Sequence, residues 1–164
     1  MKGSAKVIEE LNAGLSDELT AIAQYMVQAE MHANWGYGKL SGITKHRAIE
    51  EMRHAEGLIE RILFLDGTPA VKVGLTPKIG KTVKSHLEQD LQDELDAIKH
   101  YNAAVAICRL EGDNGSRELF EKMIKDEERH ADYLEAELHA IGEVGVENYL
   151  SQQMDAAKGR GNSD

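Results

Sequence analysis

Residues 51–67, EMRHAEGLIERILFLDG, decide how this chain folds. The apolar stripe Leu58, Ile62, Leu65 advances by four and three, the period of an amphipathic helix. Stepped backwards, the same stripe reaches His54 and then Glu51. A face that should be buried therefore carries an imidazole and a carboxylate one turn apart. Burying an unpartnered carboxylate costs roughly several kcal/mol, so these two residues need partners that the helix does not supply.

Working outward, the same steps recur in three other segments. Residues 4–32 carry Ile8, Leu11, Leu15, then Glu18, then Ile22, Tyr25 and Ala29. Residues 81–111 carry Val83, Leu87, Leu91, Glu94, Ile98, Tyr101, Val105 and Cys108. Residues 116–141 carry Phe120, Met123, Glu127, His130, Leu134, Leu138 and Ile141. With the second helix over residues 40–66, stopped at Gly67, this predicts four long helices. The breaks GYGKLSG and GDNG are short, with Asp113 or Asn114 able to cap the fourth helix. TPAVKVGLTPKIG holds both prolines, has no helical period, and is long enough to cross the bundle. A short fifth helix is expected in VENYLSQQMDAA. The expected fold is an all-α four-helix bundle with one long crossover, one domain over residues 1–157 and a disordered tail over 158–164.

Composition agrees. The 164 residues are rich in helix formers and contain one cysteine, Cys108, which cannot form an intrachain disulfide or a cysteine metal cage. A formal charge of −10 speaks against a nucleic-acid binder and suits a protein that concentrates cations. There is no run of about 20 apolar residues to span a membrane and no signal-peptide core, which points to the cytoplasm.

The sequence also repeats itself at a shift of 76 (18 to 94). Leu11, Leu15, Asp17, Glu18, Leu19, Ala21, Ile22 and Tyr25 are matched by Leu87, Leu91, Asp93, Glu94, Leu95, Ala97, Ile98 and Tyr101. Glu51, Arg53, His54, Ala55 and Leu58 are matched by Glu127, Arg129, His130, Ala131 and Leu134. Two helical hairpins related by a pseudo-two-fold axis would each bring one core glutamate and one Glu-x-x-His pair, which shares a helix face at i, i+3. A single Glu-x-x-His is ordinarily a solvated pair. Two on apolar faces, each with a core glutamate 33 residues upstream (18 to 51, 94 to 127), are not accounted for that way. Four carboxylates carry −4, which two divalent cations balance. The oxygen and imidazole donors suit iron or manganese, with zinc as a competitor. The constellation matches the general example of ferritin-like di-iron bundles.

With these residues the chain resembles the bacterioferritins over nearly its whole length. The resemblance implies a hollow 24-subunit shell that oxidises Fe(II) with O2 or H2O2 and stores ferric mineral. It implies Glu18, Glu51, His54, Glu94, Glu127 and His130 as the ligands of a di-iron centre, with Glu51 and Glu127 bridging. Met52 sits about 100° from Glu51 on the helical wheel and points away from the core. The family uses a methionine here, one from each subunit, to hold a haem at a two-fold interface. That haem, b-type or modified, would assist reductive iron release, and a ferredoxin-type protein is a candidate electron donor.

Other residues are open to two readings. Tyr25 and Tyr101 lie two turns beyond Glu18 and Glu94; each could simply pack, and Tyr25 could equally hydrogen-bond near the site or donate an electron. His46 and Glu50 could form an inner-wall iron site, but Arg47 between them favours a solvated face. His32, His86, His100 and His139 have no partner by spacing and are expected at the surface, while Trp35 is expected to anchor a loop. A rubrerythrin-like peroxidase would need a four-cysteine module. A miniferritin builds its iron site between subunits, ordinary ferritins usually lack the second histidine, and a haem-carrying electron-transfer shell would not need a complete ligand set.

Overall fold

The computed structural model describes residues 1–72 and 76–155. The expected tail and the last two residues of the expected fifth helix lie outside the described residues. Four long helices carry the chain: α1 (Ala5–Asn34), α2 (Gly38–Phe64), α3 (Val83–Leu110) and α4 (Asn114–Val144), with a short α5 (Val146–Ser151). The described residues form no strand. At 30 residues, α1 is about 45 Å long.

Side-chain pairs fix the topology. Tyr25 meets Glu94 while Asp17 meets His100, so α1 and α3 are antiparallel. His54 meets Asp126 while Arg61 meets Asp113, so α2 and α4 are too. Each hairpin closes through three residues. α2 and α3 therefore run the same way, and the segment between them must travel the length of the bundle. The hairpin turns repeat as well: Gly36 (φ 86°) and Gly112 (φ 73°) are 76 residues apart (36 to 112). Nothing lies within 4 Å of a Cβ added at either, so backbone conformation rather than space selects glycine there.

Two sequence expectations shift at the helix ends. The break around GYGKLSG is shorter than its glycines suggest, because α2 already begins at Gly38. Leu40 is buried with Val83, Leu87, Leu134, Ile141 and Tyr149, and the Lys39 N–H donates to the Gln153 carbonyl beyond α5. These tertiary contacts outweigh the cost of about 1 kcal/mol for a helical glycine. Asp113 is the residue that caps α4: its Oδ1 accepts from the Ser116 N–H and from Arg61 of α2, and its Oδ2 accepts from the Ser116 hydroxyl. α5 is one turn and a half, shorter than the stretch 146–157.

The core has two apolar clusters. One contains Leu11, Leu15, Leu58, Ile62, Phe120 and Met123; the other contains Leu40, Val83, Leu87, Leu134 and Ile141. Between them lies a band of buried glutamate and histidine.

His32 and His86, expected at the surface, are buried. The Thr44 hydroxyl lies 3.2 Å from His32 Nδ1, His32 Nε2 lies 3.0 Å from His86 Nδ1, and His86 Nε2 lies 2.8 Å from the Gly80 carbonyl. Since Gly80 can only accept, the chain of donors is fixed: His86 carries its proton on Nε2, and His32 donates to His86 Nδ1. Burial, then the neighbouring His86, lowers His32 to about 4, so both rings are neutral near pH 7. Trp35 stacks on His86 and packs into the second cluster as an anchor. His100 is half-buried between Asp17 and Glu10. Only His139 of the four is exposed as expected.

Candidate metal centre

Glu18 comes from α1, Glu51 and His54 from α2, Glu94 from α3, and Glu127 and His130 from α4. All six are buried, with relative exposures of 1–8%. Their ligand atoms form two overlapping groups, each within 4.8 Å: Glu18, Glu51, His54, Glu127, and Glu51, Glu94, Glu127, His130. Glu51 and Glu127 belong to both. The repeat explains the arrangement, since each hairpin delivers one half and the pseudo-two-fold axis passes between them.

The donor set is poorly satisfied by the protein alone. Both oxygens of Glu51, Oε2 of Glu127, Nδ1 of His54 and both ring nitrogens of His130 are buried without a hydrogen-bond partner. Native interiors rarely leave such groups orphaned. His54 Nδ1 lies 3.0 Å from Glu51 and 3.2 Å from Glu127; His130 Nδ1 lies 2.9 Å from Glu127 and 3.3 Å from Glu51. Two cations in the midst of these atoms fit the geometry and the charge.

Electrostatics without metal point the same way. Burial, with the like charges of Glu127 and Glu51, raises Glu94 well above the carboxylate range. Burial likewise raises Glu51 well above that range and raises Glu18. Burial pulls the His54 imidazolium down, but the close carboxylates of Glu127, Glu18 and Glu51 outweigh it and hold the ring protonated. Metal binding at such a site must displace protons.

Both tyrosines reach the terminal carboxylates. Tyr25 donates to Glu94 Oε1 at 2.6 Å, and Tyr101 donates to Glu18 Oε1. Each is buried and raised well above the phenol range, first by burial and then by that carboxylate. Tyr101 thus occupies the same place as Tyr25, a parity the repeat itself signals.

A cavity of about 420 Å³ reaches the four glutamates from between α1 and α3, past Asp17, Gln24, Asp93, Asp96 and His100. Its polar residues are paired by the repeat: Gln24 binds Asp93, and His100 binds Asp17 (24 to 100, 17 to 93). An acidic lining concentrates cations at the mouth.

Deeper along α1 and α3, Gln24 and Gln28 both donate to Asp90 Oδ1, at 2.9 and 2.7 Å. Burial pushes Asp90 up to about 7. Between the ordinary aspartate value and 7 the folded protein keeps a proton that the unfolded chain has lost. Asp90 therefore contributes stability at low pH that is lost as pH rises through about 7. Asp90→Asn keeps an acceptor oxygen and does not titrate. It should gain on the parent by up to about 1.4 kcal/mol per pH unit across that window and level off above it. Urea unfolding of both proteins from pH 5 to 8 checks this, and a pH-independent difference would contradict it.

Two acidic residues lie beside the ligand histidines: Asp126, which the sequence does not single out, and Glu50, which the sequence pairs only with His46. Asp126 Oδ2 lies 3.2 Å from His54 Nε2, and Glu50 Oε2 lies 3.4 Å from His130 Nε2. Glu50 is not on a solvated face: its side chain is 18% exposed and meets His46, Arg47, Arg129 and His130. Met52 leaves the bundle, 44% exposed, beside the similarly exposed Ile49 on α2.

Four helices, antiparallel to their neighbours, that project four glutamates and two histidines into two overlapping candidate metal-ligand groups define a carboxylate-rich bundle of the ferritin type. Residues 8–144 match the ferritin-like domain family. The chain is 42% identical to a bacterioferritin of Rhodobacter capsulatus over 161 residues, covering 96% of this chain and 100% of that protein. It is 41% identical to a bacterioferritin of Brucella melitensis over 157 residues, 96% of each chain. A bacterioferritin of Mycobacterium avium is 39% identical over 152 residues, 93% of this chain and 96% of that one. The chain belongs to the bacterioferritin family.

Proposed function

We propose that this chain is an iron-storage ferroxidase whose centre is built from Glu18, Glu51, His54, Glu94, Glu127 and His130. The two ligand groups sharing Glu51 and Glu127 carry this reading. Fe(II) is the substrate: two ions give up one electron each, and the pair reduces O2 to H2O2, or H2O2 to water. Bound iron supplies the redox chemistry; the chain supplies charge, geometry and proton handling. Tyr25 and Tyr101 each hold one terminal carboxylate by a hydrogen bond, and the apolar clusters on either side of the band exclude bulk water. No helix among the described residues is long and apolar enough to cross a membrane. The proposed setting is a cytoplasmic 24-subunit homo-oligomer with a ferric mineral inside. Stopped-flow absorbance with oxygen consumption tests the reading: rapid oxidation should saturate at two Fe(II) per chain. Saturation at one or none would refute it.

Haem at a two-fold interface, reduced by a ferredoxin-type donor for iron release, is part of the same proposal and rests on Met52. Within one chain this exposed thioether has no metal to ligate; an isologous contact would bring two equivalent copies together. Two soft neutral ligands suit a haem iron. Met52→Leu conserves volume and should cost less than about 1.5 kcal/mol. The variant is expected to assemble and oxidise Fe(II) normally but to purify without haem and release iron slowly under reduction. Full haem with an unchanged absorption spectrum would remove Met52 from that role.

A further inference from the structure

An arc of side chains lies against the ligand histidines outside the centre, hydrogen-bonded to His54 and, at His130, closed by an ion-pair distance rather than a hydrogen bond. His54 Nε2 meets Asp126 Oδ2 at 3.2 Å. Asp126 Oδ1 and Glu50 Oε1 both accept from one nitrogen of Arg129, each at 3.2 Å. Glu50 Oε2 faces His130 Nε2 at 3.4 Å. The arc runs His54–Asp126–Arg129–Glu50–His130, linking α2 to α4 on the side away from the glutamate cluster. We propose that Asp126 and Glu50 are positioning residues, each orienting one ligand histidine, and that Arg129 ties the two together.

Each ring shows the same orientation: Nδ1 faces the glutamates and Nε2 faces the arc. A ring that gives its Nδ1 lone pair to a metal must carry its remaining proton on Nε2. There an ionised carboxylate is a suitable acceptor, and it fixes both tautomer and ring plane. Asp126 and Glu50 stand at equivalent repeat positions (50 to 126), each directly before a shared glutamate. The arrangement is therefore duplicated with the centre itself. Charge is balanced within the arc, since Arg129 and Arg47 face the two carboxylates. That pairing engages both carboxylates and lessens their competition for the metal. Arg129 is 60% exposed on its side chain, so its ion pairs add little stability; its contribution is geometric.

This inference rests on the proposed two-metal centre, and Co(II) titration of the metal-free full chain under anaerobic conditions separates the two. The parent should bind two Co(II) per chain with absorption bands of imidazole-ligated cobalt; failure there would overturn the centre itself, and the arc with it. Given two sites in the parent, Asp126→Ala should weaken one binding step about 10- to 100-fold and leave the other unchanged, and Glu50→Ala should do the same. The double variant should weaken both steps, which shows that the singles act on different sites. Arg129→Ala should loosen both steps together, by less than either carboxylate change. Asp126→Asn and Glu50→Gln keep an acceptor oxygen and should recover most of the affinity. A general loss of structure would instead lower the melting temperature of the metal-free protein and weaken both steps equally in each single variant. That pattern, or parental titration of both alanine variants, would overturn the proposal.

Discussion

Glu94→Ala is expected to lose rapid Fe(II) oxidation at two irons per chain, by more than about 100-fold, and Glu18→Ala to do the same. Removing a residue that only supports a ligand costs about 10- to 100-fold, so removal of a ligand should exceed it. Each of these glutamates belongs to only one of the two ligand groups, so each variant should spare the other group's four residues. The stability effect has the opposite sign in the isosteric variant. Glu94 is 5% exposed and faces the charges of Glu127 and Glu51. Glu94→Gln is neutral without taking up a proton and keeps an acceptor for the Tyr25 hydroxyl. Without metal at neutral pH it should therefore be at least as stable as the parent. The alanine variant gives up part of this gain, because it orphans Tyr25 at about 1–3 kcal/mol and opens a cavity. Stopped-flow oxidation and urea unfolding of both variants check the pair of effects. Parental oxidation rates in both alanine variants would refute the ligand assignment.

The central band was legible because its signal is local and doubled. Glu51 and His54 share a helix face with Leu58 and Ile62, and Glu127 and His130 repeat the pattern 76 residues later (51 to 127). The helices followed from the same stripes, and their ends moved only where tertiary contacts, such as Leu40 and Lys39 with the region of α5, overrode local glycine. Pairs across helices left weaker traces. Asp17 with His100 and Gln24 with Asp93 are related by the repeat and could have been found by asking which residues at matched positions can hydrogen-bond. Glu50 and Asp126 could have been found the same way. The His32–His86 pair could not. Its repeat mates are Cys108 and Glu10 (32 to 108, 10 to 86), so the symmetry is broken there and only the packed structure brings the rings together. For Tyr101, spacing alone says only that it packs. Its contact with Glu18 depends on the antiparallel register of α1 and α3.

Metal should also stabilise the fold strongly, because folding is what gathers the ligands. Without metal, folding must bury four glutamates whose charges are partly quenched by protons, on Glu94 and Glu51 above all. Each bound cation replaces those protons, satisfies the orphaned oxygens and ring nitrogens, and has no comparable site in the unfolded chain. At a free concentration about 100 times its Kd, one cation contributes about 2.7 kcal/mol, and two contribute about 5 kcal/mol. For a chain of this size each kcal/mol moves the melting temperature by about 2–4 °C. Mn(II) or Zn(II) should therefore raise it by on the order of 10–20 °C at fixed protein concentration. The rise should grow with pH, since fewer protons remain to be displaced. Glu94→Ala should show roughly half the shift, having lost a ligand from one group. Glu51→Ala, which belongs to both groups, should lose nearly all of it. Scanning calorimetry at saturating metal measures each value. An unchanged melting temperature in the parent would mean that the buried carboxylates and histidines do not hold a metal pair, whatever their spacing.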